Sequence, residues 1–427
     1  MADFQILSVE NGAEVVFAEA NRFKTNEISL SFFTDLDEKT ASANAVAVML
    51  LSRSTRKYPS ILKLNSKLAS LYGAQLEAGV AKAGELQMLK IGITSLDNSF
   101  ALSNEDIAQE CVSLLLSMAF EPVLDENGGF PQEGVEREKR VIAEKIESEN
   151  NEKRTYALRR AEEIMFEGEP YAVNRYGTLD GVNALTAQEV FNAWKNIISS
   201  AKIVLTVVGN ANAQKAKQSL AEKLSSVERN YSNAPEAVFK PAGDSVKTVE
   251  ERLNVNQGKL VMGFRLSAPS EDDKTKAAFR SFNDIFGGGP YSKLFANVRE
   301  KMSLCYYCSS RYSKQKEFII VQSGCEEENM EKAEKEILNQ LEEIKKGNFD
   351  YEFASSKAGL TDAINSVNDT PEAMESWYSL QGGSGLYKSP AEAARENNEV
   401  TKEQIIECAK RISLDTVYKL VSDKEGK

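Results

Sequence analysis

The sequence predicts an α+β fold built from two similar halves, each a β-sheet layered against helices. Two observations carry this. A long internal repeat keeps its order and spacing. Within each repeat, strand signals alternate with long helical patterns.

In the first half, ISLSFFTDL reads as a strand that runs into an acidic turn ending in Lys39-Thr40. TASANAVAVMLLSRST then reads as an Ala-rich helix, NSKLASLYGAQLEAGV opens with the helix start Ser66-Lys67-Leu68, and ELQMLKIGI is a further strand. The second half repeats these pieces. LVMGFRL is the strand, the acidic turn ends in Lys274-Thr275, and KAAFRSFNDIF is the helix. Ser292-Lys293-Leu294 starts the next helix, and LCYYCSSRY and EFIIVQSG are strands. Matched pieces lie about 226 to 235 residues apart.

The halves also end alike. ALTAQEVFNAWKNIISSAKIVLTVVG resembles EVTKEQIIECAKRISLDTVYKLV, and in each a threonine, Thr186 or Thr401, is placed to N-cap an amphipathic helix before a closing strand. EKRVIAEKIESENNEKRTYALRRAEEIMF and ENMEKAEKEILNQLEEIKKG read as long helices, the second with a solvated face of Glu/Lys pairs. SSVERNYSNAPEAVFKPAGDS, with two prolines and no clean period, reads as the connection. The expected organisation is residues 1–230, a linker at 231–245, and residues 246–427.

Composition bounds the function. At 427 residues the chain fits roughly two to three domains of ~100–200 residues. Its 42% hydrophobic and 27% charged content is that of a globular protein with sizeable cores. A net charge of −12 argues against nucleic acid, and no basic-aromatic interleaving suggests it. No apolar run approaches the ~20 residues that span a bilayer. The start, MADFQILSVENGAEVVF, has no basic stretch before an apolar core, so no signal peptide is expected. Five cysteines, an odd number in so long a chain, make no disulfide framework and fit a reducing cytoplasm.

The chain has no histidine. That removes the commonest general base and the commonest metal ligand together. Ser-His and Cys-His nucleophile pairs and histidine-based zinc sites are excluded within the chain. Two smaller motifs have bland readings. Cys305-Tyr-Tyr-Cys308 lacks the second pair of a zinc site and the following helix of a redox pair, so packed thiols are expected. Gly287-Gly288-Gly289-Pro290 lacks the spacing of a phosphate loop and reads as a chain reversal with glycine at a helix C-cap. Gly382-Gly383-Ser384-Gly385 reads as a flexible turn.

One stretch carries a family resemblance. Gly287-Gly288-Gly289, Ser292-Lys293-Leu294-Phe295, Arg299-Glu300-Lys301 and Leu304-Cys305-Tyr306 resemble, in order and spacing, the C-terminal domain of the pitrilysin/insulinase metallopeptidases, which include the mitochondrial processing peptidase. The repeat extends the resemblance across nearly the whole chain. It implies two homologous α+β domains facing each other around a chamber.

Active members carry His-x-x-Glu-His on a first-half helix, two histidines on one face with a glutamate as general base, and a later glutamate that completes the zinc site. Here those positions align with Ala45, Val48 and Met49 on TASANAVAVMLLSRST, and with Lys145 beside Glu144 on VEREKRVIAEKI. The resemblance therefore implies no metal and no cofactor bound by this chain. What survives is an Arg/Tyr pair seven residues apart, Arg299 and Tyr306, which in the family holds the substrate carbonyl or developing oxyanion. Some members are heterodimers in which one subunit supplies zinc and the other this pair. The expectation is a subunit inactive alone, whose partner is a homologous zinc-motif peptidase subunit and whose substrate is a peptide. The alternative is a non-catalytic pseudopeptidase that binds extended peptides.

Overall fold

The computed structural model describes residues 4–231 and 238–423, so the expected linker lies partly outside the described residues. Mixed helices and sheets form two compact units. One comprises Met1–Glu147, Val173–Glu236 and Ser366–Pro390; the other comprises Ser148–Ala172, Ala237–Asn365 and Ala391–Lys427. Each unit thus takes in a segment from the other half of the sequence.

The first unit holds β1 (Phe4–Val9), β2 (Ala13–Glu19), β3 (Thr25–Asp35), β4 (Gln75–Ala83), β5 (Leu86–Leu96) and β6 (Lys202–Gly209), in the order β1-β2-β6-β3-β5-β4. The second holds β7 (Lys247–Leu253), β8 (Gly258–Leu266), β9 (Tyr307–Ser313), β10 (Phe318–Cys325) and β11 (Ile412–Ser422), in the order β7-β11-β8-β10-β9. With β1 set aside the two orders correspond strand for strand. The closing strand of each sheet runs parallel to one neighbour, β2 or β7, and antiparallel to the other, β3 or β8. The internal repeat is therefore a duplicated topology.

The threonine caps form as expected. Thr186 exchanges hydrogen bonds with Glu189, and Thr401 with Gln404, each a capping box that starts the helix before a closing strand. Two expectations are corrected. The single long helix across residues 138–166 is two helices, Gln132–Asn151 and Lys153–Met165, because Glu152 accepts from the Arg154 and Thr155 amides and restarts the chain as an N-cap. At the glycine run, Gly289 ends a wide helical turn with φ −113°, so no left-handed cap is used. Gly287 is needed for space: a Cβ there would lie 2.6 Å from the Ser310 amide nitrogen.

Strand alternation builds the main cores. Ile28, Leu30 and Phe32 on β3 face a core shared with the Ala41–Leu51 helix, every residue of which is buried. The opposite face of β3 presents Glu27, Ser29, Ser31 and Phe33, and these are buried too. The covering element is the Pro371–Ser379 helix, capped by Thr370 and packed on β3 and β6. Its Met374 and Tyr378 join Val16, Phe33, Val204 and Val208 in a second core. Its buried Glu375 accepts from the Ser29 hydroxyl and pairs with Lys90 at 3.1 Å.

The second unit repeats the device with the Lys153–Met165 helix, which packs on β8 and β11. Ala157, Ala161, Met165 and Phe166 meet Val261, Phe318, Tyr418 and Leu420. Gly263 admits Met165, whose sulfur would sit 2.5 Å from a Cβ there. Buried Glu169 pairs with Arg265 at 2.7 Å and Lys316 at 2.8 Å, and Arg265 reaches Asp415 at 3.2 Å. Each sheet thus has helices on one face and a borrowed helix, fixed by a buried carboxylate, on the other.

Two consequences are measurable. Glu169→Ala removes the carboxylate that Arg265 and Lys316 share, leaving Arg265 with Asp415 and Lys316 with the Val238 carbonyl, and should cost about 3 kcal/mol, read as a lower urea midpoint; an unchanged midpoint would show that the pairs contribute nothing net. Glu27 is pushed up to about 7, chiefly by burial and further by the Glu375, Glu77 and Glu372 carboxylates, against a hydrogen bond from Thr94. Below its unfolded value of 4.5 this group's contribution to stability is fully present. As pH rises the unfolded chain releases the proton first, so that stability is lost progressively and is gone above about 7. Glu27→Gln should remove this slope and raise stability at pH 8 by about 2 kcal/mol relative to the parent. A parallel pair of pH–stability curves would refute the assignment.

Candidate functional site

The stretch that the resemblance aligns with the zinc-bearing helix of active relatives forms the helix Ala41–Leu51. Ala45, Val48 and Met49 all sit inside the main core of the first unit. Their side chains offer one thioether and no nitrogen or carboxylate donor, so they pack and cannot build a zinc site. On the Gln132–Asn151 helix, Lys145 and its neighbour Glu144 are both exposed, and a lysine ammonium brings no lone pair to a metal. Among the described residues no group of three or more cysteine and carboxylate side chains is placed to hold a metal ion. Nor is any helix among them long and apolar enough to cross a membrane.

The carboxylate this helix does bury is Glu138, which lies on its inward stripe with Val135, Ile142 and Ile146. Arg53 grips it through Nε at 3.2 Å and Nη2 at 3.3 Å, and Arg137 through Nε at 2.9 Å. Sequence reasoning passed over Glu138. The available signal was a glutamate on the apolar stripe, which demands a cationic partner.

Arg299 and Tyr306 are brought together in the second unit. Arg299 lies in the last turn of the π-helical segment Leu294–Lys301, and Tyr306 immediately precedes β9. Between them the chain reverses through Ser303 at φ +50°. Amides of Met302 and Leu304 bond back to the Asn297 and Val298 carbonyls, and the Tyr306 amide bonds to the Gly324 carbonyl. Leu304 and Cys305 turn inward as anchors while the Tyr306 side chain is 66% exposed. Arg299 Nε donates to the Tyr306 carbonyl oxygen at 3.0 Å, its guanidinium stacks 4.6 Å over the Phe295 ring, and it pairs with Glu300 at 3.3 Å. The Tyr306 hydroxyl makes a long hydrogen bond, 3.4 Å, to Glu326. The guanidinium is thus tied to the Tyr306 backbone at the surface of the unit, and the side-chain acceptors of the two donors, Glu300 and Glu326, are exposed carboxylates.

The flanking thiols pack, as expected for Cys305 and Cys308, in the core under this reversal. They are not equivalent. Hydrogen bonding from the Cys308 thiol brings Cys305 down to about 7 against the effect of burial, while Cys308 is pushed well up. Alkylation of Cys305, followed by mass spectrometry across pH, should have its midpoint near 7, and Cys308→Ala should move it toward the ordinary ~8.5. A parent midpoint already near 8.5 would refute the thiol–thiol interaction.

The fold recurs in known proteins. Residues 184–360 match the family described as peptidase M16 inactive domain. The chain is 29% identical over 420 residues to the probable inactive metalloprotease YmfF of Bacillus subtilis (strain 168), covering 97% of each. Among solved structures it is similar to a conserved protein from Enterococcus faecalis V583, with TM-score 0.88, 26% identity and full coverage of both chains. It also shares the fold of a protease from Helicobacter pylori, with TM-score 0.83 and 15% identity over 99% of this chain and all of that one. These likenesses are consistent with an inactive homologue of the pitrilysin/insulinase metallopeptidases, one that lacks their zinc-binding motif.

Proposed function

We propose that this chain is the zinc-free subunit of a two-chain peptidase of its family, in which a homologous partner carries His-x-x-Glu-His and zinc. In this reading Arg299 and Tyr306 bind the substrate carbonyl and the oxyanion that develops on it. The observation that carries it is the Arg299–Tyr306 pair, held together at 3.0 Å through the tyrosine carbonyl. It has the donor chemistry that oxyanion stabilisation needs, and its competing contacts are exposed. The chain's own helix positions Ala45, Val48 and Met49 leave the metal chemistry to the partner.

A second reading, an extended-peptide binder without catalysis, draws on β9. Among the described residues this strand pairs only with β10, so its other edge can take an extended chain directly beside Tyr306.

The two readings separate in the complex recovered from the native extract. If the first holds, the complex contains a chain with His-x-x-Glu-His, and Arg299→Ala lowers its peptidase activity about 10²–10³-fold with assembly intact. Tyr306→Phe should act in the same direction. Undiminished activity of the Arg299→Ala complex rejects catalysis in trans. A complex with no such motif that still retains an extended peptide favours the second reading.

A further inference from the structure

The first unit contains a cavity of about 320 Å³ at the C-terminal end of the Ala41–Leu51 helix, walled in part by Leu51, Ile61, Pro122 and Phe130. That volume is at the lower end of the ~300–1,000 Å³ range of small-ligand pockets. Arg53 and Arg137 also line it. Both guanidiniums are fixed from behind by Glu138, whose side chain is 0% exposed, while their own side chains are 37% and 40% exposed. One buried carboxylate therefore orients two cations. Arg53 uses Nε and Nη2 on it and Arg137 uses Nε, so the Nη1 group of Arg53 and both Nη groups of Arg137 have no acceptor among the described residues.

The surroundings narrow the ligand. The loop from Ser52 to Ser60 that borders the cavity contains Arg53, Arg56 and Lys57 and no acidic residue. The cavity also meets the first turns of two helices, Ile61–Ser70 and Gln132–Asn151, whose leading amides have no intrahelical acceptor. Glu133 stands exposed at the rim and disfavours a second negative charge on the ligand. Apolar walls around a cationic end suit an amphipathic molecule better than an inorganic ion. Planar guanidinium forks match a carboxylate.

We infer that this cavity is a binding site for a monocarboxylate with an aliphatic or aromatic body, the carboxylate seated on Arg53 and Arg137 and the body against Leu51, Pro122 and Phe130. The chemistry is that of a peptide C-terminus with an apolar last residue, or of a free apolar carboxylic acid. The site is independent of the reading of Arg299 and Tyr306, and either can fail alone.

Calorimetric titration of the full chain with N-acetyl-alanyl-leucine, its C-terminal amide, hexanoate and inorganic phosphate tests it. The acid should bind, its amide about tenfold or more weaker, and phosphate no better than the amide. Arg137→Ala leaves Glu138 with its bidentate partner Arg53 and should weaken acid binding at least about tenfold. Val123→Trp, which fills the cavity from its wall and keeps both arginines, should do the same; thermal melts check that each variant folds. Binding of the peptide acid alone assigns the site to a chain terminus, and binding of hexanoate as well assigns it to carboxylic acids at large; both uphold it. Equal binding of acid and amide, preference for phosphate, acid binding untouched by both variants, or no acid binding up to about 10 mM overturns it.

Discussion

Each sheet of this protein depends on a carboxylate that arrives from the other half of the sequence. Glu169 enters beneath β8 and β10 and is caught by Arg265 and Lys316; Glu375 enters beneath β3 and β5 and is caught by Lys90 and Ser29. A buried charge without its partner is expensive, so neither sheet can keep its cation and leave the helix undocked without loss. The apolar contacts of Met165 and Phe166 in one unit, and of Met374 and Tyr378 in the other, supply the larger gain from burial. The ion pairs fix where along the sheet each helix sits.

The same logic applies to the helix that the resemblance aligns with the zinc-bearing helix of active relatives. A helix that carries two histidines and a glutamate toward a metal must keep polar groups in a packed setting, at a cost the metal offsets. The Ala41–Leu51 helix has no such demand and is buried on every side. Val48 and Met49 each contribute about 1.5–3 kcal/mol of burial to the core of the first unit. The Arg53, Arg137 and Glu138 cluster of this unit lies just beyond the helix's C-terminal end. In the other unit the Arg299–Tyr306 pair rests on a reversal stapled by the Met302, Leu304 and Tyr306 amides.

Much of this was legible in the sequence. The Lys-Thr turns, the Ser-Lys-Leu helix starts and the capping threonines marked a repeat, and the matched strand orders are its physical form. The interest of residues 45, 48 and 49 and of Arg299 and Tyr306 came from the family resemblance; local chemistry adds only that the first three are apolar and the last two are strong donors. What periodicity could not show are the contacts that cross the halves. Glu27, Ser29 and Ser31 alternate with apolar residues as a solvent-facing edge of β3 would, yet they are buried, because the element covering them lies some 340 residues away in the chain (Ser29 to Glu375 is a separation of 346). The break at Glu152 was hidden because a glutamate inside a helical pattern looks the same whether it faces water or captures two amides. Glu138 was hidden because its meaning comes from Arg53, on another helix's end.

The borrowed helices also set a timetable for synthesis. The second face of the first sheet cannot be closed until residues 366–390 have left the ribosome, long after β6 is complete. At about 5–20 residues per second, the stretch between the two is on the order of ten seconds of elongation. Throughout that interval Val16, Phe33, Val204 and Val208 form an uncovered apolar surface on a nascent chain. The repeated topology thus yields two units that mature together and late. The growing chain's exposure to chaperones, and to its own copies on neighbouring ribosomes, follows from the position of one nine-residue helix.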